Sequence, residues 1–185
     1  MEVPFANKVN SILYMALPGQ GGGLATYQLL FGDATPNGKL SETWPKQYSN
    51  VPYSAQFSKS ENELYKESIY VGYRYYDTYN VPIQFPFGFG LSYNPYKYRD
   101  LDIKESKDKV YISFKLTNGG KYHGGEIVQL YVVNNKNSVV FKAHKELKGF
   151  SKVYLRPGET KLVKMELNLK DLSYYDVNKH LWVLE

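Results

Sequence analysis

The residues of this chain that could do chemistry are carboxylates and tyrosines. Asp33, Glu42, Glu61, Glu63, Glu67 and Asp77 are the carboxylates to weigh. Glycoside hydrolysis needs two such groups about 5 to 9 Å apart across a sugar, one to donate and recover a proton and the other to attack or to activate water. None of these residues has a sequence context that marks it for either role, and each reads as a solvated charge. No residue is therefore assigned as catalytic. Glu67 and Arg74 are the least ordinary, because they flank an aromatic stretch where burial would shift a carboxyl pKa. Tyr73, Tyr75, Tyr76 and Tyr79 lie in that stretch. Their ring faces, apolar with a polar rim, suit either a sugar or a seam between domains. Glu67, Tyr73, Arg74 and Tyr75 form the substrate-adjacent set.

Other chemistries find little support. His123, His144 and His180 are far apart and lack the short spacing of a metal site, and the chain has no cysteine. No metal or cofactor is expected. The serines lie outside any GxSxG elbow. The glycines of Pro18-Gly19-Gln20-Gly21-Gly22-Gly23 are not followed by the Lys-Ser or Lys-Thr of a phosphate loop, so a close-packed turn explains them. A net charge of +5 raises the question of nucleic acid. However, Lys142, Lys145, Lys148, Lys152, Lys161 and Lys164 are interleaved with apolar residues, the pattern of a solvated sheet face. Nucleic acid is not an expected partner. Neither is a membrane, since no window approaches the roughly 20 apolar residues of a span. The N-terminal MEVPFANKV has no leader pattern, and the compartment stays open between cytoplasm and secretion.

The elements that must position these residues change character along the chain. Val9 to Leu17 is an apolar run of strand length. After the glycine turn, Leu24, Tyr27, Gln28 and Phe31 recur at helical spacing, and Gly32 is the expected stop. This is one βα step. Pro36-Asn37-Gly38 predicts a turn, Leu40 to Pro45 an extended segment, and the polar run from Lys46 to Glu67 an exposed connection. Ile69 to Tyr98 is so rich in Tyr, Phe, Gly and Pro that neither an ordinary helix nor an ordinary strand is expected there. Beyond Leu101 the period becomes two: Val110, Ile112, Phe114 and Leu116 alternate with polar residues, as do Val163, Met165, Leu167 and Leu169. The fold class is mixed, a partial α/β portion with an extended connector followed by an antiparallel β-sandwich of fibronectin type III-like form. The expected boundaries are residues 1–68, 69–98 and 99–185. One strand and one helix cannot cover a parallel sheet, and the sandwich lacks an evident closing strand, so a longer parent is expected.

Taken in order, the motifs resemble those of a known family. Pro18 to Gly23, Leu30-Phe31-Gly32-Asp33, Pro36 to Leu40 and Thr43-Trp44-Pro45 are similar to the late part of the α/β-sandwich domain of glycoside hydrolase family 3. Val71 to Asp77 and Phe85 to Tyr93 resemble that family's connector. Asn118-Gly119-Gly120, Gly125 to Tyr131, Lys145 to Phe150, Pro157 to Thr160 and Asp171-Leu172-Ser173 resemble its fibronectin type III-like domain. The resemblance implies a retaining, exo-acting β-glucosidase as parent, with its nucleophile on a (β/α)8 barrel absent from this chain and its acid/base glutamate upstream of Met1. In some members the domain order is permuted. The implied partners are that barrel and, through the parent's active site, a β-linked saccharide. The resemblance makes the chain an inactive accessory part. Two other readings stay open: a polysaccharide-binding module using surface tyrosines, and an interaction domain whose unpaired strand edges join copies into a homo-oligomer.

Overall fold

The computed structural model describes residues 1–59, 61–62, 64–134 and 138–184. Of the carboxylates weighed above, Glu63 lies outside the described residues. The chain divides into two compact units, the first formed by Met1–Asp33, Gly38–Leu91 and Val133–Glu146. The second takes Ala34–Asn37, Ser92–Val132 and the chain from Leu147 on.

In the first unit, the expected helix forms as α1 (Gly22–Phe31), ending at Gly32 in the left-handed conformation at φ 81°. The strand expected over Val9 to Leu17 does not form, and Leu17 is 97% exposed. A parallel strand takes its hydrogen bonds from neighbouring strands, and the described residues place none beside this segment. The core gathers instead around Trp44, which is 2% exposed. Strand β1 (Trp44–Pro45) pairs antiparallel with a later strand, Ile83–Phe85, Trp44 lying opposite Phe85. The indole meets the Tyr14 ring edge-on at 5.0 Å and the Phe85 ring at 5.9 Å, and Phe85 stacks on Phe89 at 5.1 Å. Leu40 donates its N–H to the Phe89 carbonyl and accepts the Gly88 N–H through its own. These bonds make the extended segment after the Pro-Asn-Gly turn one side of a short ladder.

The aromatic stretch departs from expectation. It contains a helix, α2 (Tyr73–Tyr79), ahead of the strand β2 (Ile83–Phe85). Gly72, at φ 60° and ψ −134°, turns the chain into α2 in a region open essentially to glycine alone. Asn80 ends it in the left-handed conformation, with its N–H on the Tyr76 carbonyl. Aromatic residues are mediocre helix formers; here the helix is held by ring packing and by its two end residues. The segment Val133–Glu146 contributes to the same unit. Its His144 N–H reaches Thr78 Oγ1 at 2.9 Å, and Lys145 Nζ lies 3.1 Å from Asp77 Oδ2.

The second unit is a β-sandwich. Strands β3 (Tyr96–Glu105), β4 (Lys109–Asn118) and β7 (Thr160–Asn168) form an antiparallel sheet in the order β3-β4-β7. Strands β5 (Gly124–Val133) and β6 (Lys145–Leu155) form a second sheet, and β8 (Tyr174–Asp176) pairs with β9 (Leu181–Val183). Of the period-two residues, Ile112, Phe114, Leu116, Val163 and Leu167 join Val128 and Leu155 in one core drawn from both sheets, Val110 and Met165 pack half-buried against it, and Leu169 falls past the end of β7 in a short 3-10 helix (Leu169–Leu172). Strand β3 is an edge, and its register breaks between Arg99 and Asp102, where Asp100 adopts φ 55°. Such a bulge twists an edge away from pairing.

Polar groups fasten the ends of this core. Asn118 is fully buried; its Nδ2 donates to the carbonyls of Tyr122 and Leu155 at 2.8 and 3.1 Å, and its Oδ1 accepts the Gly120 N–H at 2.9 Å. Buried Asn94 pairs with both the N–H and the carbonyl of Tyr122. The four residues Ala34–Asn37 are held in the same unit. Thr35 Oγ1 accepts the Tyr93 N–H and lies 2.9 Å from Ser92 Oγ, while Lys152 Nζ donates to Asn37 Oδ1 at 2.6 Å.

Candidate functional site

Helix α2 contributes to a cleft in the first unit. The helical period puts Tyr75 and Tyr79, four apart, on one face and sends Tyr76 elsewhere. Tyr75 and Tyr79 line a cleft of about 450 Å³ together with Pro52, Tyr53, Lys66, Glu67, Ser68 and Tyr70. Tyr76 is buried in the first unit instead, its ring edge-on to Tyr75 at 5.3 Å. Of the four tyrosines that the sequence suited to either a sugar or a seam, Tyr75 and Tyr79 line the cleft, while Tyr76 is buried and Tyr73 does not line it.

The cleft wall is a set of rings braced against each other. Tyr79 meets Tyr70 edge-on at 5.2 Å and lies tilted to Tyr75 at 5.4 Å. The Lys66 ammonium sits 5.9 Å from the centre of the Tyr53 ring and donates a hydrogen bond to Gln56 Oε1. Partial burial raises the Tyr70 phenol above its ordinary pKa, and Tyr79 adds to the shift. Burial also raises the Tyr76 phenol, with smaller contributions from Tyr75, Glu67 and Glu42.

The substrate-adjacent set divides around this cleft. Glu67, half-buried, and Tyr75 line it. Tyr73 turns to stack on Phe87 at 4.8 Å and 18°, and Arg74 shares the helix without lining the cleft. Sequence reasoning passed over Tyr53, Lys66 and Tyr70, which come from the polar connection and the start of the aromatic stretch. The only signal there was two aromatic rings in runs of otherwise polar or apolar residues.

The other described carboxylates weighed above do not line this cleft. Glu42 Oε1 accepts the Trp44 indole N–H at 3.0 Å, Asp77 is paired to Lys145, and Asp33 and Glu61 are exposed. His123 stacks on Tyr154 at 6.0 Å in the second unit. Among the described residues, no group of His, Cys, Asp and Glu is arranged to hold a metal ion, and no helix is long and apolar enough to cross a membrane.

Residues 1–93 match the model of the glycosyl hydrolase family 3 C-terminal domain. The chain belongs to glycosyl hydrolase family 3. Residues 126–185 match the fibronectin type III-like domain, in agreement with the sandwich of the second unit. Among relatives in this family, thermostable beta-glucosidase B of Acetivibrio thermocellus is 43% identical over 190 residues, covering all of this chain and 25% of that protein. The crystal structure of a beta-glucosidase from Kluyveromyces marxianus superposes with a TM-score of 0.91 at 40% identity, over all of this chain and 22% of that one. An exo-alpha-(1->6)-L-arabinopyranosidase of Bifidobacterium longum is 34% identical over 98% of this chain and 24% of its own length. The chain thus spans about a quarter of the length of the family 3 relatives it matches, and it aligns with their C-terminal region.

Proposed function

We propose that this chain is the C-terminal, non-catalytic part of a retaining, exo-acting β-glucosidase, and that it supports domain packing around an active site whose carboxylates lie elsewhere in the parent. The observation that carries the reading is the alignment of the whole chain with family 3 β-glucosidases together with the placement of its own carboxylates. Glu42 is tied to an indole, Asp77 to a lysine, and Glu67 is the one of the described candidate carboxylates that lines the cleft beside α2. A single carboxylate cannot serve both as proton donor and as nucleophile or base. The missing partner in this proposal is a (β/α)8 barrel, and the parent's substrate is a β-linked saccharide. Glu67 and Tyr75, with Tyr73 and Arg74 on or beside the same helix, are substrate-adjacent rather than catalytic.

The test is hydrolysis of an aryl β-glucoside. The purified 185-residue chain is expected to release no aglycone above the buffer rate. Turnover well above buffer, with a contaminating hydrolase excluded, would overturn the proposal. Pairing of copies through the β3 edge is set against by the bulge at Asp100.

A further inference from the structure

We propose that Asn37 is a site of spontaneous covalent modification, at which the backbone nitrogen of Gly38 attacks the side-chain amide and converts the residue to aspartate or isoaspartate. Asparagine is a thermolabile residue, and most so before glycine, which has no Cβ to shield its nitrogen and bends freely toward the preceding side chain. The chain contains two such pairs, Asn37-Gly38 and Asn118-Gly119, and their surroundings are opposite. Asn118 is fully buried, its Nδ2 donates to the carbonyls of Tyr122 and Leu155, and its Oδ1 accepts the Gly120 N–H. The Gly119 N–H donates to the Pro95 carbonyl at 2.9 Å. Both reacting groups of that pair are therefore engaged. Asn37 is half-buried and Gly38 exposed, in a stretch outside any helix or strand. Among the described residues, neither the Asn37 Nδ2 nor the Gly38 N–H makes a hydrogen bond.

Lys152 activates the open pair. Its ammonium donates to Asn37 Oδ1 at 2.6 Å, and an ammonium can only donate, so the oxygen of the amide faces it and the nitrogen points away. The lysine is held there by its neighbours: Nζ lies 5.4 Å from the centre of the Tyr154 ring, and the stem passes over Gly125, where an added Cβ would lie 3.0 Å from Cε. A cation on the amide oxygen draws electron density from Cγ and stabilises the oxyanion that forms as the nitrogen adds. In the reaction the Gly38 nitrogen gives its proton to solvent base and bonds to Asn37 Cγ. The Cγ–Nδ2 bond then breaks, and Nδ2 leaves as ammonia after taking a proton from water. Water opens the cyclic imide at either carbonyl, giving aspartate or, with an extra atom in the backbone, isoaspartate. The net change consumes water and releases ammonia, with no oxidation or reduction. The bond between Asn37 and Gly38 is also where the chain passes from the second unit to the first, so isoaspartate would lengthen the backbone at that passage.

Incubation of the full chain at mildly alkaline pH, followed by mass spectrometry of its tryptic peptides, tests the assignment. Peptide 9–39 carries Asn37 and peptide 116–121 carries Asn118. Conversion of Asn37, located by fragmentation, is expected to outpace that of Asn118 by about a hundredfold or more, since Asn118 reacts only in the small fraction of molecules that open. In denaturing urea the two sites should react at comparable rates, because the fold that separates them is gone. Lys152→Met, a change at an exposed side chain, should slow conversion of Asn37 in the native chain by about threefold or more and leave its rate in urea unaltered. Equal native rates at the two sites, or a native Asn37 that fails to react while the urea-treated chain converts, overturns the proposal. A native rate in Lys152→Met that equals or exceeds that of the unaltered chain overturns the role given to Lys152. Neither readout depends on turnover, so the outcome is separate from that of the proposed parentage.

Discussion

Asn118 shows how one buried polar side chain can close a sandwich. Its amide meets the turn at Gly120 and Tyr122 and the end of β6 at Leu155. Asn118→Ala removes the side-chain donor to the buried Leu155 carbonyl and the acceptor of the Gly120 N–H, while Asn94 still reaches the Tyr122 carbonyl. The expected cost is about 3 kcal/mol, read as a lowered urea midpoint with an unchanged slope. Glu159 acts at the surface of the next turn, where the Arg156 N–H donates to its Oε2 at 2.7 Å and Lys161 lies 3.5 Å from Oε1. The backbone bond is the largest influence and holds this carboxyl below its ordinary value, with Lys161 assisting. A carboxyl depressed in the folded state contributes stability that is present above its unfolded pKa and lost as pH falls through the folded one. Glu159→Gln should therefore flatten the acid limb of the thermal midpoint against pH and leave the shape at neutral pH unchanged. Asp100, lowered by Lys115, and Asp176, lowered by the Lys179 N–H, act in the same direction and remain in that variant. The motif Arg156-Pro157-Gly158-Glu159 was legible as a turn, but the carboxylate's bond across it was not, since a side chain's reach depends on how the turn closes.

Helix α2 is where reading by composition failed. Tyrosine-rich sequence has weak helical preference, yet Gly72 and Asn80 supply the entry and the exit, and tertiary packing of Tyr76 and Tyr73 supplies the rest. Gly72→Ala meets no steric obstacle, as a Cβ there has nothing within 4 Å. The penalty is in the backbone alone, about 1–3 kcal/mol for a non-glycine residue at that φ and ψ. Faster amide exchange across Tyr73–Tyr79 is expected, with exchange in β4 unchanged; unaltered exchange in α2 would count against the assignment. By contrast the period-two strands were legible, because alternation is a property of each strand separately. Ile112, Phe114 and Leu116 are buried as their spacing demands. The strand expected at Val9 to Leu17 shows the reverse case, as an apolar run becomes a strand only when a neighbour offers hydrogen bonds.

At the scale of the molecule the two tryptophans divide between the units. Trp44 is 2% exposed in the first, and Trp182 is 61% exposed in the second, edge-on to Tyr175 at 5.7 Å. Emission of the native chain is expected to split into a fraction quenched readily by iodide and a fraction protected from it. Trp182→Phe should leave only the protected, blue-shifted fraction, which then reports unfolding of the first unit alone. A fully quenchable Trp44 would contradict the core assigned to that unit.

What the sequence determined by itself is the class of each part and the family: a helix after a glycine turn, half-buried strands after Leu101, and ordered motifs that resemble family 3. These are local patterns, readable wherever a period or a turn residue acts within a few positions. The tertiary structure alone decided which distant segments share a unit. Ala34–Asn37 joins the sandwich through Thr35 and Asn37, and Val133–Glu146 joins α2 through Thr78 and Asp77. It also decided which of many tyrosines face a cleft. Such groupings depend on bonds between residues tens of positions apart, for which single-residue types carry no signal. The cleft of Glu67, Lys66 and the tyrosine rings became visible only once a helix put Tyr75 and Tyr79 on one side.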